Sequence, residues 1–132
     1  MKPKFMLDTD TVSYALRHHG GVAESMVQRK PSELCISALT LAELRYGASR
    51  RQSKRLHGLI DSFIVDVAVV PFDDTCATRY GLLASDLAAQ GSPIGDFDTL
   101  IAAHAIALDL TLVTNNGKHF LRVPELRVEN WL

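Results

Sequence analysis

Cysteine is scarce in this chain: Cys35 and Cys76 are the only two, and neither sits in a CxxC pair or a Cys/His set with ligand spacing. A disulfide framework is therefore excluded, a zinc centre is disfavoured, and two buried reduced thiols are the expectation. Excess charge of one sign is missing as well, since 14 Lys and Arg face 15 Asp and Glu for a net charge of −1. A globally basic nucleic-acid binder is ruled out, so any contact with a polyanion must use a local patch. Long apolar runs are absent too: Phe5-Met6-Leu7 meets Asp8 after three residues, and no later run reaches membrane-spanning length. No export or membrane segment is expected, and the cytoplasm is the natural setting. Repeats, low-complexity tracts and linkers do not occur either. At 132 residues the chain is read as a single domain, 1–132, in which every motif shares one core.

What is present is an alternation of short apolar runs with helical patterns. Residues 4–7 read as a buried strand, 11–17 as a helix before Gly20-Gly21, and a second helical stretch reaches about Arg29. Residues 34–37 are the next strand, followed by a helix from Leu41 with Gly47 near its end. Helical spacing continues to Ile64, where Leu56, Leu59, Ile60, Phe63 and Ile64 form an apolar stripe expected to join the core. A strand at 67–70, a helix at 73–90, a loop at 91–95 and a helix running to Asp109 come next. Then follow a strand at 111–114, an Asn115-Asn116-Gly117 turn and an extended piece at 126–131. The pattern implies an α/β fold with a central, mainly parallel sheet and helices on both faces.

Three carboxylates stand where a strand or loop hands over to a helix: Asp8, Glu43 and Asp98. In open α/β sheets ligands bind beyond the carboxyl ends of the strands, so acids distant in sequence can meet there. Helix capping is the rival explanation. Thr40-Leu41-Ala42-Glu43 matches a capping box, and Asp10 and Asp96 suit N-cap positions. Asp8 is the exception, because Thr9 and Asp10 could cap the following helix without it. Two unit charges about 4 Å apart repel by roughly 4 kcal/mol at an effective dielectric near 20, so converging acids need a cation between them. With oxygen donors alone the expected ion is Mg²⁺, or Mn²⁺ in its place, able to activate water and neutralise charge at a phosphodiester. Residues two apart on a helix point about 200° apart, which assigns Asp96 to capping and Asp98 to the metal. His104, six positions beyond Asp98, points away from the site and is read as a packed or surface residue.

The residues resemble the PIN-domain ribonucleases, and within them the VapC-type toxins, over essentially the whole chain. The likeness is carried by Phe5-Met6-Leu7-Asp8-Thr9, by Ile36-Ser37 through Leu41-Ala42-Glu43-Leu44 with Tyr46-Gly47-Ala48, and by Asp98-Thr99-Leu100-Ile101-Ala102-Ala103-His104-Ala105. Thr111-Leu112-Val113-Thr114-Asn115-Asn116 and Arg127-Val128-Glu129-Asn130-Trp131 complete it. The resemblance implies a PIN-like three-layer α/β/α sandwich and metal-dependent cleavage of structured RNA, with the tRNA anticodon region as the expected substrate. It also implies a VapB-type antitoxin, a homodimer, and operator DNA contacted only through the antitoxin complex. Catalytic and metal-binding roles fall on Asp8, Glu43 and Asp98.

Two positions depart from the family pattern. Asp10 stands where relatives usually have Asn, and His119 stands where an acid commonly precedes the Phe that corresponds to Phe120. Asp10 or Asp96 could compensate for the missing acid. His119 could be a ligand, a proton donor or an RNA contact, but the favoured reading is an exposed histidine beside Lys118. Thr114 and Asn115 end a strand on the active-site side and could hold water or phosphate. Arg50, Arg51, Lys54 and Arg55 are the candidate RNA-backbone patch, set against a solvated helix junction. Two other classes of function stay open. A PIN domain altered at Asp10 and His119 could bind RNA or antitoxin without cutting. Asp8-Thr9-Asp10-Thr11-Val12 also matches the nucleophile motif of haloacid-dehalogenase-like phosphatases, although their later motifs are out of order here.

Overall fold

The computed structural model describes residues 2–132, and among these it forms five strands and seven α-helices. In chain order they are β1 (Phe5–Leu7), α1 (Thr9–Leu16), α2 (Val22–Val27), β2 (Leu34–Ser37), α3 (Ala38–Arg50), α4 (Lys54–Asp66) and β3 (Ala68–Val70). The second half holds α5 (Asp74–Ala89), α6 (Asp96–Ala107), β4 (Thr111–Val113), α7 (Gly117–Phe120) and β5 (Val128–Glu129). The sheet order is β3-β2-β1-β4-β5 and every pairing is parallel. β1 lies at the centre, with Phe5 opposite Leu34 on one side and Thr111 on the other. The chain steps outward from β1 to β2 and β3, then returns to add β4 on β1's other side. The carboxyl ends of β1 and β4 therefore flank a topological switch point, the place where such sheets bind ligands.

Successive strand residues point to opposite faces, and the two cores follow that period of two. Met6, Cys35 and Leu112 face a core with Leu83 and Leu87 of α5 and Ile101 and Ala105 of α6. Leu7, Ile36 and Val113 face the other, with Val12 of α1, Leu44 and Ala48 of α3 and Ile60 of α4. This is the three-layer α/β/α sandwich. Both cysteines are buried and free, and burial pushes the Cys35 thiol up to about 12. No helix among the described residues is long and apolar enough to cross a membrane.

The last residues close the second core. Trp131 packs on Phe5 with ring centroids 5.1 Å apart, and the Arg29 guanidinium lies 4.1 Å from the Trp131 centroid and 4.9 Å from that of Phe5. Each such cation–π contact contributes on the order of 0.5–1 kcal/mol at partly exposed sites. Gly20 is needed under this tail: its φ is +68°, and a Cβ there would come 2.6 Å from Leu132 Cδ1.

Several boundaries differ from the pattern-based expectation, each for a local reason. α3 starts at Ala38 because Ser37 caps it, its Oγ accepting from the Leu39 amide at 3.0 Å. Thr40 is thus inside the helix, and the expected capping box with Glu43 does not form. Gly47 is likewise interior. The helical stretch to Ile64 is broken at Gln52, whose φ is +51°, and Ser53 caps α4 through the Leu56 amide. Of the apolar stripe on α4, Ile60 is fully buried, Leu56, Phe63 and Ile64 are half-buried against the core, and Leu59 borders an open groove. The Asn115-Asn116-Gly117 turn leads into α7, a helical turn that the sequence pattern does not indicate.

Candidate active site

Asp8 follows directly on β1, and three contacts fix it. Its amide donates to the Val113 carbonyl at 3.0 Å, tying the end of β1 to β4. Its carboxylate accepts from the Thr11 amide at 2.9 Å, so Asp8 is itself the N-cap of α1 and neither Thr9 nor Asp10 serves that purpose. Thr11 Oγ1 donates to the Val113 carbonyl, and the Thr114 hydroxyl donates to the Asp8 carboxylate. Burial nevertheless raises the Asp8 carboxyl above its ordinary range, outweighing the Thr114 and Thr11 donors, and the nearby Asp10 charge adds to the rise. An anion is being held in a place that disfavours negative charge.

The other acids reach the same cleft from separate segments. Asp8, Thr9, Asp10, Glu43, Asp96, Asp98 and Asn116 line it, with a volume of about 430 Å³. Glu43, one turn into α3, accepts from Thr9 Oγ1 at 2.6 Å. Asp98 lies in the first turn of α6, which enters the cleft from Gly95, a backbone with φ +97° and ψ 151° that is open essentially to glycine alone. Gly95, not Asp96, is the N-cap of α6. Asp96 is the first helical residue, and both it and Asp98 face the cleft.

His119 is exposed beside Lys118, and its ring also reaches the edge of this cleft: its Nδ1 is 2.7 Å from Asp98 Oδ2 and 3.1 Å from Asn116 Nδ2. Asn115 turns the other way, donating from Nδ2 to the Tyr14 hydroxyl at 3.1 Å. Asn116 is the residue that lines the cleft, and its amide donates to Thr114 Oγ1 at 3.0 Å. The alternation of side chains past a strand end, which puts Thr114 and Asn116 on one side and Asn115 on the other, was the available signal for it. His104 is fully buried in α6, its Nδ1 2.9 Å from Ser37 Oγ and its ring edge-on to Phe72.

Do these residues suit a cation? Among the described residues five carboxylates border the cleft and no Lys or Arg does. Their mutual repulsion, and the buried Asp8 carboxyl within it, call for a positive charge that the protein does not supply. All the carboxylate donors are hard oxygens, which fits Mg²⁺ or Mn²⁺ with several waters kept. Asp8, Glu43 and Asp98 are spread along the cleft, however. Among the described residues no three His, Cys, Asp or Glu side chains lie close enough together to hold a metal. The acids share a cleft without forming a closed ligand shell.

A second groove opens beside the first, with a volume of about 660 Å³. Thr9, Asp10 and Glu43 border both grooves, so the two are continuous. Its far wall has Arg51 and Arg55 from the α3–α4 junction and Arg17 and His18 from the end of α1, over a floor that includes Leu44, Leu56 and Ile60. Of the predicted basic patch, Arg51 and Arg55 line this groove, whereas Arg50 and Lys54 do not. Arg17 and His18 were missed because they are far from that patch in sequence.

Comparison with known proteins supplies the relatives. The PIN-domain family profile matches residues 5–126. The chain is 38% identical to the tRNA(fMet)-specific endonuclease VapC of Shigella flexneri, covering 97% of this chain and 98% of the relative. It is 39% identical to Ribonuclease VapC2 of Rickettsia felis, covering 96% and 97%. Among solved structures it is similar to DNA-bound VapBC from Salmonella typhimurium, with a TM-score of 0.92 at 36% identity over 98% of this chain and 99% of that one. Rickettsia felis VapBC2 bound to a promoter DNA fragment gives a TM-score of 0.89 at 36% identity, covering 97% and 98%.

Proposed function

Because the chain belongs to the PIN-domain family and, within it, to the VapC-type ribonucleases, we propose that it is a divalent-metal-dependent endoribonuclease acting on tRNA. The observation that carries this reading is the cleft at the switch point, bordered by five carboxylates and no Lys or Arg among the described residues. Asp8, Glu43 and Asp98, which line the cleft without closing on one point, would share an ion that keeps several of its waters, with Asp10 and Asp96 adding negative potential around it. A bound divalent ion would neutralise charge at the phosphodiester and lower the pKa of a water so that it could lose its proton to solvent and attack phosphorus. The chain's own residues do the positioning. Thr114 and the Thr11 amide fix the Asp8 carboxylate, Thr9 fixes Glu43, and Arg17, Arg51 and Arg55 take the RNA backbone in the adjoining groove.

The activity for which the Shigella relative is named makes initiator tRNA the first substrate to try, with the anticodon region as the expected cleavage site. The VapBC complexes among the structural relatives, both bound to DNA, support a VapB-type antitoxin as partner and DNA contact through that complex, and the proposal adds pairing of two toxin chains in a cytosolic setting. The phosphatase reading of Asp8 and Asp10 falls with the family assignment. The test is incubation of the purified chain with initiator tRNA and with an elongator tRNA, in EDTA, Mg²⁺ or Mn²⁺. Cleavage that needs the ion and disappears in Asp98→Asn is the expected result. Tight tRNA binding with no cleavage under any condition would replace this reading by the binding-only one.

A further inference from the structure

Gly47 lies in the interior of α3, although glycine is the poorest helix former after proline. Nothing in the fold of this chain requires it there. Its φ is an ordinary helical one, since among the described glycines only Gly20, Gly91 and Gly95 have positive φ. A Cβ built at residue 47 would meet no atom within 4 Å beyond its own helix backbone, so no neighbouring element presses on it. Gly58 of α4 and Gly81 of α5 are alike in both respects, but they are exposed and line neither the acid cleft nor the basic groove. Of the three, only Gly47 opens its bare backbone into the groove of about 660 Å³.

Its neighbours along α3 say what that gap faces. Residues four apart on a helix share a face, so Glu43, Gly47 and Arg51 form one row, and all three border the groove. One end of the row is an acid of the cleft and the other is a guanidinium. The two ends stand about 12 Å apart along the helix. That is the reach of about three nucleotides at roughly 3.4 Å each in a stacked strand. A phosphate chain suits both ends, meeting Arg51 directly and Glu43 through a divalent ion. Arg17 and Arg55 on the facing wall add charge of the same sign as Arg51. Between the ends the strand passes over residue 47, where any side chain would hold it off the helix.

Resting on the reading of the chain as a tRNA nuclease, we propose that Gly47 is a close-approach position, where the ribose-phosphate backbone of the RNA lies against bare helix between Glu43 and Arg51. The missing Cβ lets the strand come closer by the thickness of a methyl group. That contact fixes the register between the phosphate on Arg51 and the phosphate at the acids. Glycine serves the same purpose in dinucleotide-binding turns, where the protein backbone has to approach a pyrophosphate. The loss of helix propensity at residue 47 is what this approach requires.

The test varies bulk while keeping the helix. Ala and Leu are both strong helix formers, so Gly47→Ala and Gly47→Leu should each raise the melting temperature by a few degrees. Binding of initiator tRNA to the full chain is read by fluorescence anisotropy in EDTA, and cleavage in Mg²⁺ gives kcat and KM. Kd and KM should rise about threefold in the Ala variant and at least about tenfold in the Leu variant, with the effect on KM and not on kcat. The Ala variant decides if the Leu variant unfolds. Gly58→Ala, outside both grooves, should raise the melting temperature and leave Kd and KM as they are. Unchanged Kd and KM in both Gly47 variants overturn the close approach, leave the nuclease reading standing and hand the gap to a protein partner. An equal loss of binding in Gly58→Ala overturns it too, because helix stiffness would then be the cause. A wild-type chain that neither binds nor cleaves tRNA overturns the nuclease reading and this position with it.

Discussion

The acid cleft and the basic groove beside it share Thr9, Asp10 and Glu43, yet they are built in opposite ways. The acids come from the end of a strand and the first two turns of helices, where the backbone leaves little choice of position. Asp8 is held by the Thr11 amide, the Val113 carbonyl and the Thr114 hydroxyl, and Asp98 lies in the first turn after Gly95, whose backbone conformation essentially only glycine adopts. The bases sit on long, solvent-facing side chains at a helix junction and a helix end. Chemistry that needs fixed atoms is placed where the sheet decides geometry. Affinity for a polyanion, which tolerates movement, is placed where side-chain length decides it.

The sharpest way to break this contrast is Asp8→Asn. Asn is as good an N-cap as Asp, so α1 should stay capped and the metal-free melting temperature should hold. Cleavage should fall by at least about 10²-fold, on the scale of removing one preorganised electrostatic interaction. Cleavage near the wild-type rate in a standard Mg²⁺ assay would remove Asp8 from the machinery. Glu43→Gln comes next. Ser37, not Glu43, caps α3, so the amide should cost no stability, and Thr9 can still donate to its oxygen. A loss of activity of about tenfold or more, with an unchanged melt, is expected. A lowered melt would mean that Glu43 has a structural duty after all.

On the basic side, the double variant Arg51→Gln, Arg55→Gln should raise the tRNA KM and leave kcat alone. The slope of log affinity against log salt should shrink by about 0.7 for each phosphate that is no longer neutralised. Arg50→Gln with Lys54→Gln, outside the groove, is the matched control, and an equal effect there would reduce the groove to general surface charge. The smallest effect concerns the bolt between the acid-bearing helices. His104 of α6 contacts Ser37, which caps α3, and burial holds its pKa below the ordinary 6.5, against the Pro71 carbonyl and Asp73. The unfolded chain gains a proton as pH falls through 6.5 while the folded chain resists it. Stability is therefore full above that value and declines as pH drops below it towards the depressed folded pKa. The loss is bounded by about 1.4 kcal/mol per pH unit. Urea midpoints at pH 7.5 and 5.5 should differ in the wild type and converge in His104→Gln, and parallel behaviour of the two would assign the pH response elsewhere.

How much of this was legible in the sequence depended on whether the governing interaction was local. Strand alternation and the strand-to-helix handovers are local, and they placed the sheet, both cores and the three acids near where they lie. Capping was misjudged at each acid, because Asp8, Ser37 and Gly95 take their roles from φ and ψ at the junctions, which neighbouring residue types do not specify. His119 against Asp98 joins positions 21 apart, and Arg17 shares a groove with Arg51 only through tertiary packing. Asn116 was within reach, had the period of two been carried past the end of β4.

The central place of β1 also sets a clock. Asp8 is among the first residues made, but its strand lacks one neighbour until β4 leaves the ribosome, and β4 begins at Thr111. At roughly 5–20 residues per second, that leaves an interval on the order of ten seconds in which the growing chain carries its first acid and no cleft. The parallel crossovers, which delay every contact of β1 with β4, keep a nuclease from arising on the ribosome that is still translating it.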